Sequence, residues 1–216
     1  MYLPNSFKEN DTPRLRQYIR DYGFGLLVIA DGQGIEANHV PFHLECDNDD
    51  SLGSLHCHVA RSNPVWKRLI GGARVLVVFQ GPNGYVSPSW YATKAQTGRV
   101  VPTWNYLAVH AEGVARVIED GDWLKRHLGQ LTDQHESRMN TPWALTDAPS
   151  EYTDNLVKAI VGVEIRIESL IGKLKASQNQ PEQNRVGVKE GFNTAEAGFN
   201  KAMSDFIQPG PGSELA

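Results

Sequence analysis

The stretch Phe24-Gly25-Leu26-Leu27-Val28-Ile29-Ala30-Asp31-Gly32-Gln33-Gly34-Ile35-Glu36-Ala37-Asn38-His39-Val40-Pro41-Phe42-His43-Leu44 decides the fold. Residues 24–30 form an almost unbroken apolar run, Asp31-Gly32-Gln33-Gly34 carries strong turn chemistry, and residues 35–44 resume as a second strand. Two strands joined by so short a turn form a hairpin and run antiparallel. A parallel doubly wound sheet would need a crossover helix at this point and is disfavoured.

Upstream, residues 11–22 read as a helix, with Asp11 or Thr12 as N-cap, Pro13 in the first turn, and Leu15, Tyr18, Ile19 and Tyr22 at helical spacing; Gly23 ends it. Downstream, a strand over residues 52–59 leads to Asn63-Pro64, which opens a short helix that Gly71-Gly72 stops. A strand over 74–80, a turn at Gly81-Pro82-Asn83-Gly84, a strand over 85–91 and a loop over 92–99 follow. A long strand over 101–119 is expected to bend or bulge at Gly113.

After Asp120 the period changes. Residues 122–137 fit an amphipathic helix with Trp123, Leu124, His127, Leu128 and Leu131 on one side. A second helix falls within 149–162, a half-buried strand over 163–174, a polar loop over 178–185, a last helix over 193–207, and a flexible tail at Pro209-Gly210-Pro211-Gly212. The sum is mainly β with peripheral helices (α+β), about six or seven antiparallel strands forming a closed or split barrel. One domain is expected over residues 1–207, with helical additions at about 120–160 and 193–207, and a tail over 208–216.

With 216 residues, 40% of them apolar, the chain can bury one substantial core. Its 21 Lys and Arg against 25 Asp and Glu, a net charge of −4, lack the basic excess of a nucleic-acid footprint. Cys46 and Cys57 are too few for a disulfide framework and read as free thiols in a reducing compartment. With no leader-like N-terminus and no apolar run near the roughly 20 residues of a membrane helix, a soluble cytoplasmic protein is expected.

The chemistry concentrates in His56-Cys57-His58-Val59-Ala60-Arg61-Ser62-Asn63-Pro64 and in Trp104-Asn105-Tyr106-Leu107-Ala108-Val109-His110, polar and aromatic clusters that interrupt or cap apolar strands. Strands built only to fill a core need no such histidines and amides, so these line a ligand pocket. Arg61, the Ser62 hydroxyl and the Asn63 amide sit where a strand ends and a helix begins, a cradle for a phosphate to which Lys67 adds charge. The competing reading is that Asn63 only caps the helix and Arg61 is a solvated charge. His56 and His58 share one strand side, and so do His39 and His43, but no carboxylate stands at a matching spacing and a metal site is not expected. Ser87-Pro88-Ser89-Trp90-Tyr91 and Pro102-Thr103-Trp104-Asn105-Tyr106 pair rings with hydrogen-bonding groups, which suits either a planar ligand or an aromatic core or interface.

Several ordered blocks carry a resemblance: Met1-Tyr2-Leu3-Pro4, Asn38-His39-Val40-Pro41-Phe42, residues 53–64 with Trp66, Tyr85-Val86-Ser87-Pro88-Ser89-Trp90-Tyr91, Val101-Pro102-Thr103-Trp104-Asn105-Tyr106 with His110 and Gly113, and Lys173-Leu174-Lys175 with Ser177-Gln178-Asn179. Together they closely resemble the PaiB family of FMN-binding negative transcriptional regulators, over residues 1 to about 185; Ala176 departs from the leucine more usual there. The resemblance implies an antiparallel split β-barrel of the pyridoxamine-phosphate-oxidase-like kind, a homodimer with FMN at its interface. It implies phosphate at Arg61, Ser62 and Asn63, ring or ribityl contacts from Trp90, Tyr91, Thr103, Trp104, Asn105 and His110, and added charge from Lys94. The function implied is negative transcriptional regulation with flavin or small-molecule sensing. Direct DNA contact is supported neither by charge nor by a helix-turn-helix. An FMN-dependent oxidoreductase and a haem-binding or haem-degrading protein are the alternatives.

Overall fold

The computed structural model describes residues 1–46, 48, 51–194 and 201–208. The chain divides into two compact units whose segments alternate in sequence: residues 11–79 and 110–170 form one, here the hairpin unit, and residues 1–10, 80–109 and those from 171 onward form the other, the terminal unit. The strands are β1 (Lys8–Glu9), β2 (Phe24–Asp31), β3 (Gly34–Pro41), β4 (His43–Glu45), β5 (Ser54–Ala60), β6 (Ala73–Val86), β7 (Thr103–Ile118) and β8 (Ile160–Lys175). Their order is β3-β2-β6-β7-β8-β5-β4, with β1 added to β8.

In the hairpin unit, β2 and β3 pair antiparallel from Phe24↔Pro41 to Asp31↔Gly34, as the quoted stretch requires. Asp31 accepts the Gln33 N–H at 2.7 Å and Gly34 takes φ 105°, which a side chain would disfavour. Arg68, at the end of the short helix α2 (Val65–Arg68), clamps that turn through Asp31, Glu36 at 2.9 Å and the Gly34 carbonyl at 2.7 Å. Helix α1 (Thr12–Asp21) starts with Pro13 in its first turn and buries Leu15, Tyr18 and Ile19. The core comprises Leu27, Ile29, Leu55, Val77, Phe79, Val163 and Ile165, each worth about 1.5 to 3 kcal/mol when fully buried, with Phe42 edge-on to Phe79 at 5.5 Å. Asp120 caps α4 (Gly121–Glu136) by accepting the Trp123 N–H at 2.7 Å, and α4 buries Leu124, His127 and Leu131 before α5 (Ser150–Lys158) begins.

The terminal unit has its own core of Val86, Tyr91, Ala176, Val188, Phe192, Met203 and Ile207. Helix α6 (Glu182–Thr194) packs here: a Cβ at Gly187 would stand 2.0 Å from the Trp90 carbonyl oxygen, and one at Gly191 2.2 Å from the Trp90 ring.

Four local expectations change. No turn forms at Gly81-Pro82-Asn83-Gly84: β6 runs through it, and both glycines serve close packing, a Cβ at Gly81 falling 2.7 Å from Leu107 and one at Gly84 2.4 Å from Phe192. The expected loop at 92–99 contains α3 (Thr93–Thr97), ended by Gly98 at φ 63°. The polar stretch 178–185 already enters α6, because Asn184 is buried and bonds Thr93; further on, residues 201–206 form a 3-10 helix. His39 and His43 lie on separate strands, His39 stacking on Phe24 and His43 meeting Gln134 at 3.0 Å. Residues 195–200, within the expected last helix, and 209–216, nearly all of the expected tail, lie outside the described residues.

Candidate functional site

In the hairpin unit, Arg61 follows the last residue of β5. Its Nε donates to the Lys158 carbonyl at 3.0 Å, Nη2 to the Ile160 carbonyl at 3.2 Å, and Nη1 to Glu119 at 2.5 Å. Its side chain stays 39% exposed, and a guanidinium has more N–H groups than these contacts use. Ser62 is exposed. Asn63 accepts the Val65 N–H at 3.0 Å, the capping role, while its amide donates to Asn38 at 2.9 Å. Trp66 donates its indole N–H to the Arg61 carbonyl at 3.0 Å and fixes the corner. His110 is half-buried on β7, and burial lowers its pKa.

A histidine layer fills the space under α4 in the same unit. His58 Nδ1 lies 3.1 Å from His127 Nε2, His56 lies 3.2 Å from Glu45 and 3.5 Å from Glu164, and the Trp123 ring stacks on His127 at 5.3 Å. Burial pushes His127 down to about 3, helped by His58, His56 and His43, and burial also lowers His56 and His58. Among the described residues no group of three or more His, Cys, Asp or Glu is arranged to hold a metal ion.

The terminal unit holds a cavity of about 240 Å³, lined by Tyr91, Thr103, Asn105, Lys175, Ser177 and Gln180 among others. Asn105 is fully buried, its amide donates to Ser177 Oγ at 2.9 Å, and its carbonyl oxygen has no partner. Whichever way the carboxamide is set, one of its two polar atoms stays unmatched. Lys175 donates to the Thr103 hydroxyl and to the Trp104 carbonyl, and burial followed by Lys173 lowers its pKa. Ser177 takes a left-handed backbone, φ 63°, at a cost on the order of 1 kcal/mol for a residue with a Cβ. The Gln178 side chain clasps this bend, accepting the Ala176 N–H at 2.7 Å and donating to the Leu174 carbonyl at 2.6 Å.

Of the residues expected at a ligand, Tyr91, Thr103 and Asn105 therefore share one cavity, and Arg61, Ser62 and Asn63 share one corner. Trp90 is partly buried against the core of the terminal unit, edge-on to Phe192 at 5.2 Å. Trp104 is half exposed, bonded to Asn83 and edge-on to Tyr85; Lys94 is exposed on α3. Sequence reading gave no ligand-binding role to Lys175, Ser177 or Gln180, taking the segment Lys173 to Lys175 only as a basic candidate for any DNA contact, although Lys175 and Ser177 stood in the Lys-Leu-Lys-Ala-Ser-Gln-Asn block, and it took His127 for a plain apolar-face residue.

The fold is an antiparallel, unclosed sheet of the split β-barrel kind with peripheral helices. The flavocytochrome Anf3 of Azotobacter vinelandii shares it at a TM-score of 0.55 and 12% identity, over 78% of this chain and 69% of that one. Residues 1–169 match the family described as "Putative FMN-binding domain". Protease synthase and sporulation protein PAI 2 of Bacillus subtilis is 30% identical over 208 residues, covering 96% of this chain and 97% of that protein. An uncharacterised protein of Emericella nidulans, AN0679, is 34% identical over 242 residues, covering 96% of each. The chain belongs to this PaiB-type FMN-binding family, and FMN is its cofactor.

The residues fit that group. In the terminal unit, taken by itself, Asn105 has an unmatched amide atom of the kind that pairs with a heteroatom-rich ring; in the hairpin unit, taken by itself, Arg61 keeps N–H groups of the kind a phosphate accepts from.

Proposed function

We propose that this protein is a cytoplasmic, homodimeric FMN-binding regulator of the PaiB type, which senses flavin or a small ligand and acts negatively on transcription. The observation that carries this reading is the end-to-end relation to PAI 2, whose name links it to protease synthesis and sporulation. When bound, FMN supplies an isoalloxazine that carries electrons, and the protein supplies orientation and charge. Arg61, Ser62 and Asn63 would hold the phosphate; Trp90, Tyr91, Thr103, Trp104, Asn105 and His110 would meet the ring or ribityl chain, and Lys94 would add charge. An apolar outer sheet face supports dimerisation: Leu26, Val28, Leu76 and Val78 pair across β2 and β6 yet stay only half-buried, with Phe24 65% exposed beside them. Among the described residues no helix is long and apolar enough to cross a membrane.

An absorbance titration with FMN, followed by anaerobic NADPH, tests the reading. Bound flavin that stays oxidised is the expected result. Flavin bands that bleach would move the assignment to an FMN-dependent oxidoreductase, and absence of flavin binding together with a Soret band on adding haem would move it to a haem protein. Arg61→Ala should weaken FMN binding by about 1.5 to 3 kcal/mol, the scale of a charge-assisted hydrogen bond. Unchanged affinity in the folded variant would remove the phosphate from this corner.

A further inference from the structure

The cavity of the terminal unit has an electrostatic imbalance that the flavin reading does not use. Lys173 and Lys175 lie two apart on β8, so they leave the strand on one side. Lys173 is 7% exposed, donates to the Tyr2 carbonyl at 3.1 Å and sits over the rings of Tyr2 and Tyr106 at 5.5 and 5.1 Å. Lys175 meets a hydroxyl and a carbonyl. All these partners are neutral, and the residues lining the cavity include no Asp or Glu. The Lys175 ammonium is partly withdrawn from water without a counter-charge, and that burial, followed by the neighbouring Lys173, lowers its pKa. Beside it stand the Asn105 carboxamide, whose amino group has two N–H donors and gives one to Ser177, and the Ser177 hydroxyl, which in accepting that bond keeps its own hydrogen to donate and is held there by a backbone that glycine would adopt more readily.

From this arrangement we infer that the cavity binds the carboxylate or phosphate group of a small molecule, with Lys175 as counter-ion and Asn105 and Ser177 as hydrogen-bonding partners. Its volume of about 240 Å³ is below the roughly 300 to 1,000 Å³ of pockets for drug-sized ligands, so it takes a small anion or the anionic end of a larger one. Such an anion is the effector chemistry that a ligand-sensing protein would need, but the site stands on its own geometry whether or not that reading holds.

The test is the thermal midpoint of the full-length apoprotein in inorganic phosphate or acetate against chloride at equal ionic strength. The wild type and Arg61→Ala should gain stability from one of the two anions. In the Arg61→Ala background, which removes the phosphate corner proposed above, Lys175→Met should lose the response and Lys175→Arg should keep it. Should Lys175→Met fail to fold, Thr103→Asp decides: it sets a carboxylate where Lys175 now meets a hydroxyl, and the response should again vanish. Parallel titrations with FMN and riboflavin identify the carrier of the anion. If Lys175→Met weakens FMN alone, the group is the flavin phosphate; if it weakens neither, a separate small molecule carries it. No wild-type response beyond chloride, or a full response in Lys175→Met in the Arg61→Ala background, would overturn the site. Failure of the wild type to bind FMN, with its own anion response intact, would overturn only the flavin reading.

Discussion

Glycines in this chain serve opposite purposes, and single added methyl groups separate them. At Gly113 on β7, a Cβ would stand 2.0 Å from the carbonyl oxygen of Arg166, backbone against backbone, with no flexible end to yield. Gly113→Ala should therefore cost about 2 kcal/mol or more, read as a fall in the urea midpoint at unchanged slope. Gly129, in the interior of α4, has nothing within 4 Å of the same position. Gly129→Ala should raise stability by about 0.5 to 1 kcal/mol in the same assay, through helix propensity and a less flexible unfolded chain. A loss there would mean that the space is used. This is also where the sequence was least legible. Gly81 and Gly84 look like turn residues because turns are the local use of glycine, but their role is set by Leu107 and Phe192, which the string of letters does not bring near. Ser177 hid for the converse reason: nothing in its neighbours announces a positive φ.

Elements were read more securely where the period is long and both ends are punctuated. Helix α1, the β2–β3 hairpin and α4 fall close to where Asp11-Thr12-Pro13, Asp31-Gly32-Gln33-Gly34 and Asp120 put them, since caps and turns are local chemistry. Helix α6 was misplaced because its fixing contacts, Trp90 on two glycines and Thr93 on Asn184, come from about ninety residues away. The histidine layer under α4 was half legible, with His56 and His58 on one strand side but their partner His127 across the packing boundary. Its consequence is a pH dependence. An unfolded histidine titrates near 6.5, whereas folded His127 is held down to about 3 by burial first and then by His58, His56 and His43; Glu45, Glu164 and Arg126 stand in the same layer. Below pH 6.5 the unfolded chain takes up a proton that the native state refuses. The contribution is complete above that pH and drains away as pH falls toward 3, at up to about 1.4 kcal/mol per pH unit for the one proton. Urea midpoints should drop between pH 7.5 and 5.0 in the wild type and drop less in His127→Gln; equal slopes would show that His127 is protonated without penalty.

At the level of the whole chain, the two compact units share no sequence boundary that composition reveals. Three of their junctions fall inside β6, β7 and β8, so no linker rich in Gly, Pro or Ser marks them. The fold class was legible early because hairpin chemistry excludes parallel topology, and the cofactor followed from ordered sequence blocks rather than from any single motif. For the same scale we expect multi-angle light scattering to give twice the 24.0 kDa of one chain, with Leu76→Glu shifting the mass toward the monomer by charging the half-buried outer face. A wild-type mass of one chain would remove the homodimer.

The two thiols differ in a way that experimenters can use directly. Cys57 is fully buried, and burial pushes its thiol well above the ordinary range, whereas Cys46 is half-buried and accepts from the Arg20 guanidinium at 3.9 Å. Reactivity toward maleimides follows the thiolate and its access to solvent. A fluorophore or spin label offered to the native protein should therefore attach at Cys46 alone, giving a site-specific reporter next to β4 without any engineered cysteine.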